Sequence, residues 1–310
     1  MVDIVILGEA LIDMLATEKN VTLFDAPAFE PKPGGAPANV AVGVQRLGGS
    51  SALVGRVGND EFGHGLRQLL ETEGVDTSSL ITDSELMTTM ALVSLTDIGD
   101  PHFAFYLGAS QNLHPDDLNV DLIANAKFFH FSSVTLASEP SRSAIMEGLR
   151  LAKEHGVICS YDVNWRPAIW PDLDAGKEII KEPIPQIDLL KLSAEELKLI
   201  TGMEDTRAGL ETLDVPAPLV VVTLGKDGCL YRFEDKIYHQ SVAPVNNVVD
   251  ATGAGDAFMA ALLTGLSFPI KVKALERLTK RACKAGAITV SQRGAIPSLP
   301  HSNELIDHPI

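Results

Sequence analysis

The chain has 310 residues, 45% of them hydrophobic, and a formal net charge of -16. This length supports a sizeable core in one large α/β domain, and the apolar content argues against a disordered chain. An acidic balance without a basic cluster argues against nucleic acid and anionic membrane surfaces as partners, and the apolar stretch near Ala257–Ile270 is too short and broken to span a bilayer.

Cys159, Cys229 and Cys283 are far apart in sequence and lack metal-ligand spacing. An odd number of thiols in apolar surroundings fits a reducing compartment. Val2–Leu7 reads as a strand, not as a signal peptide, so the expected location is the cytoplasm.

In chain order, Asp3–Leu7 reads as a buried strand. Gly8-Glu9-Ala10-Leu11-Ile12-Asp13 follows and places Asp13 just beyond a strand end, where open α/β sheets bind ligands. Val21–Phe29 is β-prone, and Pro27 makes it an edge strand or flap. Pro37 suits the first turn of a helix that ends at Gly48-Gly49. Before it, Gly34-Gly35 lets the backbone approach a ligand, and Asn39 projects from the helix's first turn. A strand at Ser51–Val57 and a helix at Asp60–Glu73 come next.

Thr88–Thr96 and His102–Leu107 alternate as the arms of a hairpin turning at Asp97-Ile98-Gly99-Asp100. With the Val21–Phe29 region they would form a small β-sheet lid beside the main body. Strands and helices then alternate through Lys127–Phe131, Ser141–His155, Val157–Asp162, Ile187–Lys191, Ala194–Thr201 and Leu219–Thr223. That order predicts a mostly parallel sheet with crossover helices. Gly228–Phe233 and Ile237–Gln240 read as a hairpin, and a long helix near Val272–Gln292 closes the chain. His130, inside an aromatic strand, reads as a core histidine.

The chemistry concentrates in Val248-Val249-Asp250-Ala251-Thr252-Gly253-Ala254-Gly255-Asp256-Ala257-Phe258. A β-branched run ends at Asp250, a turn with almost no side chains follows, and an apolar helix begins near Asp256. Backbone N–H groups at Gly253, Ala254 and Gly255 can approach an anion, at a helix end whose dipole favours negative charge. Asp256 sets a carboxylate beside that anion hole, placed to take a proton from an attacking hydroxyl. An anion hole with a base suits phosphoryl transfer to an alcohol. The plainer alternative is an Asp that only caps the helix.

Taken together, these stretches resemble the ribokinase-like (PfkB) carbohydrate kinases. Asp250–Asp256 matches the family's C-terminal signature, and Gly34-Gly35-Ala36-Pro37-Ala38-Asn39 the N-terminal one. Within the family, fructokinases are the nearest match, through Gly8–Asp13, Phe103–Tyr106, Tyr161–Arg166 with Trp170-Pro171, Lys191–Leu197 and Val222–Cys229. The resemblance implies a ribokinase-like fold with a lid over a sugar, ATP as co-substrate and Mg²⁺ as cofactor, with fructose as the expected substrate. Asp256 would be the base, and Gly253, Ala254 and Gly255 would hold the transferring phosphoryl group. Asp13, Gly34, Gly35 and Asn39 would bind sugar hydroxyls, with Phe103 or Phe105 against the sugar face. Asn164 and Arg166 would lie near the phosphate path. A surface salt bridge is the plainer reading of Arg166.

Lys191, Thr223, Gly225, Gly228 and Gly286 would flank the nucleotide. Glu196 would organise Mg²⁺ through water, although Ser193 stands where the family motif has Asn. Asp250, Thr252, Thr289, Gln292, Gly294 and Ser298 match a monovalent cation site, with K⁺ expected. Leu107 occupies a position where many fructokinases and 2-keto-3-deoxygluconate kinases carry Arg, which points to a neutral sugar over a sugar acid. Other readings are a 2-keto-3-deoxygluconate kinase, a ribokinase-type kinase, or an inactive sugar-binding regulator. A dinucleotide oxidoreductase is disfavoured because no Gly-x-Gly-x-x-Gly opens a helix after the first strand. Exposed lid strands would allow a homodimer.

Overall fold

The computed structural model describes residues 2–96, 101–245 and 247–306. The turn expected at Asp97–Asp100 lies outside the described residues. Along the chain, β1 (Ile4–Leu7), β2 (Leu11–Ala16) and β3 (Phe29–Gly34) lead into α1 (Ala36–Arg46). Next come β4 (Ser51–Gly58), α2 (Glu61–Thr72), β5 (Leu80–Asp83), β6 (Met90–Leu95) and β7 (Pro101–Tyr106). The middle of the chain is α3 (Val120–Ala124), β8 (Phe128–Ser132), α4 (Ser141–Glu154), β9 (Ile158–Asp162) and α5 (Leu173–Ile179). It continues with β10 (Leu189–Ser193), α6 (Ala194–Thr201), α7 (Thr206–Thr212) and β11 (Leu219–Thr223). The last elements are β12 (Cys229–Phe233), β13 (Lys236–Gln240), α8 (Ala254–Gly265), α9 (Val272–Thr289) and α10 (Ala295–Ser298).

Nine strands form the central sheet in the order β13-β12-β11-β10-β9-β8-β1-β4-β5. The run from β11 to β5 is parallel throughout, and only β12 and β13 run antiparallel. Helices cover both faces, so the strands bury alternate residues in two separate cores. Ile4 and Ile6 of β1 pack with α1, α8 and α9, whereas Val5 and Leu7 pack with α4. Such strands are apolar on every residue, as buried parallel strands are. His130 sits in β8 with its Nδ1 3.0 Å from Ser160 Oγ, and burial pushes its pKa down to about 3, which makes it a neutral core histidine.

A second sheet has the order β3-β2-β6-β7. Its position differs from the sequence expectation in two respects. The edge strand is Phe29–Gly34 and not Val21–Phe29, and Leu11–Ala16, read as following a strand end, is itself a strand. Pro31 and Pro33 hide β3 from sequence patterns, because proline cannot donate to a ladder; as an edge strand, β3 needs partners on one side only. Met90–Leu95 and Pro101–Tyr106 fall within the expected hairpin arms. This sheet has a small core of Leu11, Leu15, Ala91, Val93 and Leu95, against which Phe103 and Phe105 pack.

Helices α1 and α8 lie in close contact beneath the site. A Cβ on Gly43 of α1 would approach Ala260 Cβ of α8 to 2.6 Å. The helices therefore approach as closely as they do only because one of them lacks a side chain at the crossing. Gly43→Val is expected to force them apart and to lower stability by ~1–3 kcal/mol, the usual cost of overpacking. Thermal unfolding measures it; an unchanged Tm would show that the crossing tolerates the extra volume.

Candidate active site

Three adjoining cavities run along the C-terminal edge of the central sheet. The first, of about 410 Å³, is largely apolar and includes Val242, Val245, Val248 and Val290. The middle one, of about 510 Å³, is more polar than the first and shares Thr223, Ala251 and Gly255 with it. The third, of about 50 Å³, lies between the main body and the small sheet and shares Arg166, Thr252, Gly253 and Asp256 with the middle one. Ligands bind at this edge of open α/β sheets because the loops after the strands diverge there.

Asp256 stands at the junction of the middle and small cavities. It lies in the first turn of α8, whose N-cap Gly253 takes a left-handed φ of 83°. A side chain at Gly253 would strike Ala295, with Cβ 2.7 Å from its Cβ, so glycine satisfies both the backbone and the space. Gly253 and Gly255 line the middle cavity. Ala254 lines the apolar cavity instead, and its N–H reaches the Ala251 carbonyl at 3.3 Å. The Asp256 carboxyl is buried, and Asn39 Nδ2 donates to its Oδ2 at 2.7 Å. Burial raises its pKa, while the Asn39 hydrogen bond and the charges of Lys191 and Arg166 pull the other way. The net effect is a rise, the direction that makes a carboxylate a better proton acceptor.

Lys191 lies at the base of the middle cavity. Its Nζ is 3.0 and 2.9 Å from the two carboxylate oxygens of Asp162, and 3.0 Å from where a Cβ on Gly255 would sit. Burial opposes its charge, but Asp162, Glu196 and Asp256 outweigh it and hold the ammonium above its usual pKa. The expected nucleotide-side lysine is thus beneath the glycine turn, and not in the apolar cavity. Asp162, whose role the sequence left unassigned, is its counterion. Thr223, Gly225, Gly228 and Gly286 do meet around the apolar cavity.

Around the small cavity, Asp13 of β2, Gly35 and Asn39 come together with Phe103 and Phe105 of β7. Gly34 packs behind Asp13: a Cβ there would sit 2.2 Å from Asp13 Oδ2. Burial pushes the Asp13 pKa up to about 7, against the attraction of Arg166, with Asp250 and Asp256 adding to the rise. Phe103 and Phe105 stack with centroids 5.6 Å apart, and the Arg166 guanidinium lies 5.5 Å from the Phe103 centroid. Arg166 and Asn164 line both the small and the middle cavity. Arg166 is therefore not confined to the phosphate side, nor is it a surface ion pair. Leu107 is 41% exposed and lines neither cavity, so the acid-versus-neutral distinction does not rest on it. Glu9, which no sequence pattern singled out as a site residue, lines the small cavity beside Asp13.

The positions expected to hold cations fall into two groups. Glu196 completes a capping box on α6: its Oε2 accepts from Ser193 N at 2.7 Å, while Ser193 Oγ accepts from Glu196 N at 3.1 Å. Its Oε1 accepts from Trp165 N at 2.7 Å. Asp250 ties two loops together, accepting from Thr252 N and from Gly294 N at 2.9 Å each. The hydroxyls of Thr289 and Ser298 turn back onto carbonyls of Ala285 and Gly294 at 3.0 and 2.7 Å. Gln292 donates its backbone N–H to the Thr289 carbonyl at 3.5 Å. Among the described residues, no cluster of three His, Cys, Asp or Glu side chains is arranged to hold a metal. The cysteines are all free, although the fold brings Cys229 and Cys283 Sγ to 3.8 Å despite their separation in sequence.

A buried acid beside a glycine turn, between two adjoining cavities, is an arrangement that suits a phosphotransferase. The family model for "pfkB family carbohydrate kinase" matches residues 1–302, and the chain belongs to that family. It is 41% identical to Fructokinase-2 of Solanum habrochaites over 312 residues, covering 98% of this chain and 94% of that protein. A double-mutant fructokinase of Vibrio cholerae, solved with fructose, ADP and a potassium ion, superposes with a TM-score of 0.89 at 34% identity, covering 98% and 97% of the two chains. Aminoimidazole riboside kinase of Salmonella enterica superposes with a TM-score of 0.85 at 30% identity and 98% coverage of both chains. The fold is thus ribokinase-like, and the chain is a sugar phosphotransferase.

Asn39 is expected to set the proton affinity of Asp256. Removing it in Asn39→Ala takes away a hydrogen bond to the ionised form, so the acid limb of the kcat profile should move to higher pH. Turnover at pH 7 should fall about tenfold, the worth of one charge-assisted hydrogen bond of ~1.5 kcal/mol. A limb at the wild-type pH would mean that Asn39 does not tune this carboxyl.

Proposed function

We propose that this protein is an ATP-dependent fructokinase that makes fructose 6-phosphate and releases ADP. The observation that carries the substrate is the lining of the small cavity. Asp13, Asp256 and Asn39 offer oxygen acceptors to hydroxyl donors, against the single guanidinium of Arg166. A neutral polyol satisfies such a lining, whereas the carboxylate of a sugar acid would lose its water among other carboxyl groups. Arg166 is the one feature there that favours a sugar acid. The similarity to fructokinases along nearly the whole chain supports the same reading.

In this reading the sugar lies in the small cavity with its acceptor hydroxyl towards Asp256, which takes the proton as the oxygen attacks. The apolar cavity takes the adenine, and the phosphates pass through the middle cavity towards the turn at Gly253–Gly255. Arg166, which borders both cavities, meets the charge on the transferring group with a planar fork of donors. Mg²⁺ would come with the nucleotide phosphates and, as this ion does, keep several waters. It would neutralise phosphate charge, with Glu196 reaching it only through water since backbone donors hold both its oxygens. The loops joined by Asp250 would ligate a cation mostly through neutral backbone carbonyls, a donor set that suits a monovalent ion. K⁺ is the expected ion, and it would stiffen the turn that carries the anion hole.

The small sheet borders the small cavity through Leu11, Asp13, Phe103 and Phe105. The small sheet thus serves as a lid, and closing it over the sugar would exclude water from the transfer. Phe24, 96% exposed, together with Met87 and Tyr106 near the lid, offers an apolar surface to a second copy of the chain. Among the described residues no helix is long and apolar enough to cross a membrane, and with three free thiols we place the reaction in the cytoplasm.

The test is ADP release across fructose, ribose, glucose, mannose and 2-keto-3-deoxygluconate. Fructose should give the highest kcat/KM, and a higher value for the sugar acid would reassign the substrate. Asp256→Asn should keep sugar and ATP binding while kcat falls by ~10²–10⁴, the range for a positioned general base. Near wild-type turnover would remove Asp256 from that role. At fixed Mg²⁺ and ionic strength, K⁺ should raise the rate above that in a bulky organic cation. Equal rates would remove the cation from the site.

A further inference from the structure

Glu9 has no part in the phosphoryl transfer described above, yet it is among the most unusual groups in the molecule. It follows β1 directly and is only 1% exposed. Its Oε1 accepts from the Ala36 N–H at the start of α1, at 3.2 Å. Its Oε2 is buried with no hydrogen-bond partner. Buried polar atoms are normally paired, and an exception calls for an explanation. A second exception lies on the same cavity: Asn39 donates to Asp256 but its Oδ1 is also buried and without a partner. Glu9 and Asn39 both line the small cavity, so the two lone oxygens belong to one ligand-sized problem.

The amide oxygen of Asn39 can only accept. A sugar hydroxyl that donates to it still has lone pairs free to accept a hydrogen bond. An ionised Glu9 would offer no donor, and would add a third negative charge beside Asp13 and Asp256. The groups facing Glu9 are Asp256 from α8, Asp13 from β2, Arg166 from the loop after β9 and the N–H groups at the start of α1. Burial is the largest influence on its proton and raises the pKa to about 8. Its own N–H, that of Ala36 and Arg166 work against the rise, and Asp256 adds to it.

We propose that Glu9 is a sugar-recognition residue: as the neutral acid, its free Oε2 carries the proton and donates a hydrogen bond to an oxygen of the bound sugar. The inference rests on the sugar-kinase reading of the small cavity and adds a donor to a lining otherwise rich in acceptors. Sugar affinity then depends on a proton that the free protein releases near pH 8. The same proton affects stability with a definite sign. The unfolded chain releases it near 4.5 and the folded chain near 8, so Glu9 destabilises the sugar-free protein increasingly as pH rises through that window.

The experiment measures fructose binding by calorimetry, and kcat/KM for fructose and KM for ATP, from pH 6 to 9.5, in wild type, Glu9→Gln and Glu9→Leu. Wild-type fructose affinity should fall as pH rises above about 8, where Glu9 loses its proton. Glu9→Gln, which keeps a donor without an ionisation, should bind within about threefold of wild type at pH 7 and lose the alkaline fall. Glu9→Leu should weaken fructose about tenfold or more with KM for ATP unchanged, the loss expected for one buried hydrogen bond. Without sugar, Glu9→Gln should gain Tm over wild type at pH 8 and not at pH 4.5, a change that a mere spacer would not produce. An alkaline fall that persists in Glu9→Gln, or full fructose affinity in Glu9→Leu, overturns the proposal. Should Glu9→Leu not fold, wild type and Glu9→Gln decide it alone. Fructose binding and turnover with an unmoved pH profile would sink the Glu9 role and leave the kinase reading standing, whereas a wild type that binds no sugar would sink both.

Discussion

The 2.7 Å hydrogen bond from Asn39 to Asp256 joins the first turns of two helices whose residues stand 217 positions apart in the chain. Much of the site depends on that contact. It requires α1 and α8 to begin side by side, which the bare Gly43 permits. It also ties the small cavity, where Asn39 looks, to the glycine turn that Asp256 follows. A buried carboxyl alone would hold its proton. The amide, with Lys191 and Arg166 further off, pulls the other way and favours the ionised form that the proposed base role calls for.

Charge is distributed unevenly through the cavities, and the distribution supports the proposed path of phosphoryl transfer. Valines and other small apolar side chains line the outer cavity, leaving recognition there to shape and backbone. Lys191 and Arg166 bring positive charge to the middle cavity, where the proposed reading puts the phosphates. Carboxyl groups crowd the small cavity, where hydroxyls need acceptors. Lys191 keeps its charge in a buried place because Asp162 is its close partner, and the pair also fixes β9 to β10 directly below the glycine turn. A buried pair of this kind contributes little to net stability but costs much if one partner is lost.

The small sheet illustrates where sequence patterns stop short. The strands at Met90–Leu95 and Pro101–Tyr106 were legible because β-prone residues run on both sides of a turn signal. Phe29–Gly34 was not, since two prolines in six residues argue against a strand unless one edge is left unpaired, and only the assembled sheet shows that it is. Asp13 was found, but as a residue after a strand and not within one. Leu107 drew attention by comparison with relatives, yet it lies off the cavity, while Arg166 reaches into it.

By itself the sequence determined the α/β class, the parallel order of the main strands, and the glycine turn at Asp250–Asp256 as the start of a helix. These are local matters. Hydrophobic period, strand and helix alternation, and the need for glycine at a positive φ leave marks within a few neighbouring residues. Tertiary structure alone decided which polar groups share a cavity, which remain unpaired, and what charge each carries. It brought Lys191 to Asp162, Cys229 near Cys283, and Glu9 to a site with Asn39, Asp13 and Asp256. Burial and through-space charge set the proton on each of these groups, and neither is a property of a residue's neighbours in sequence.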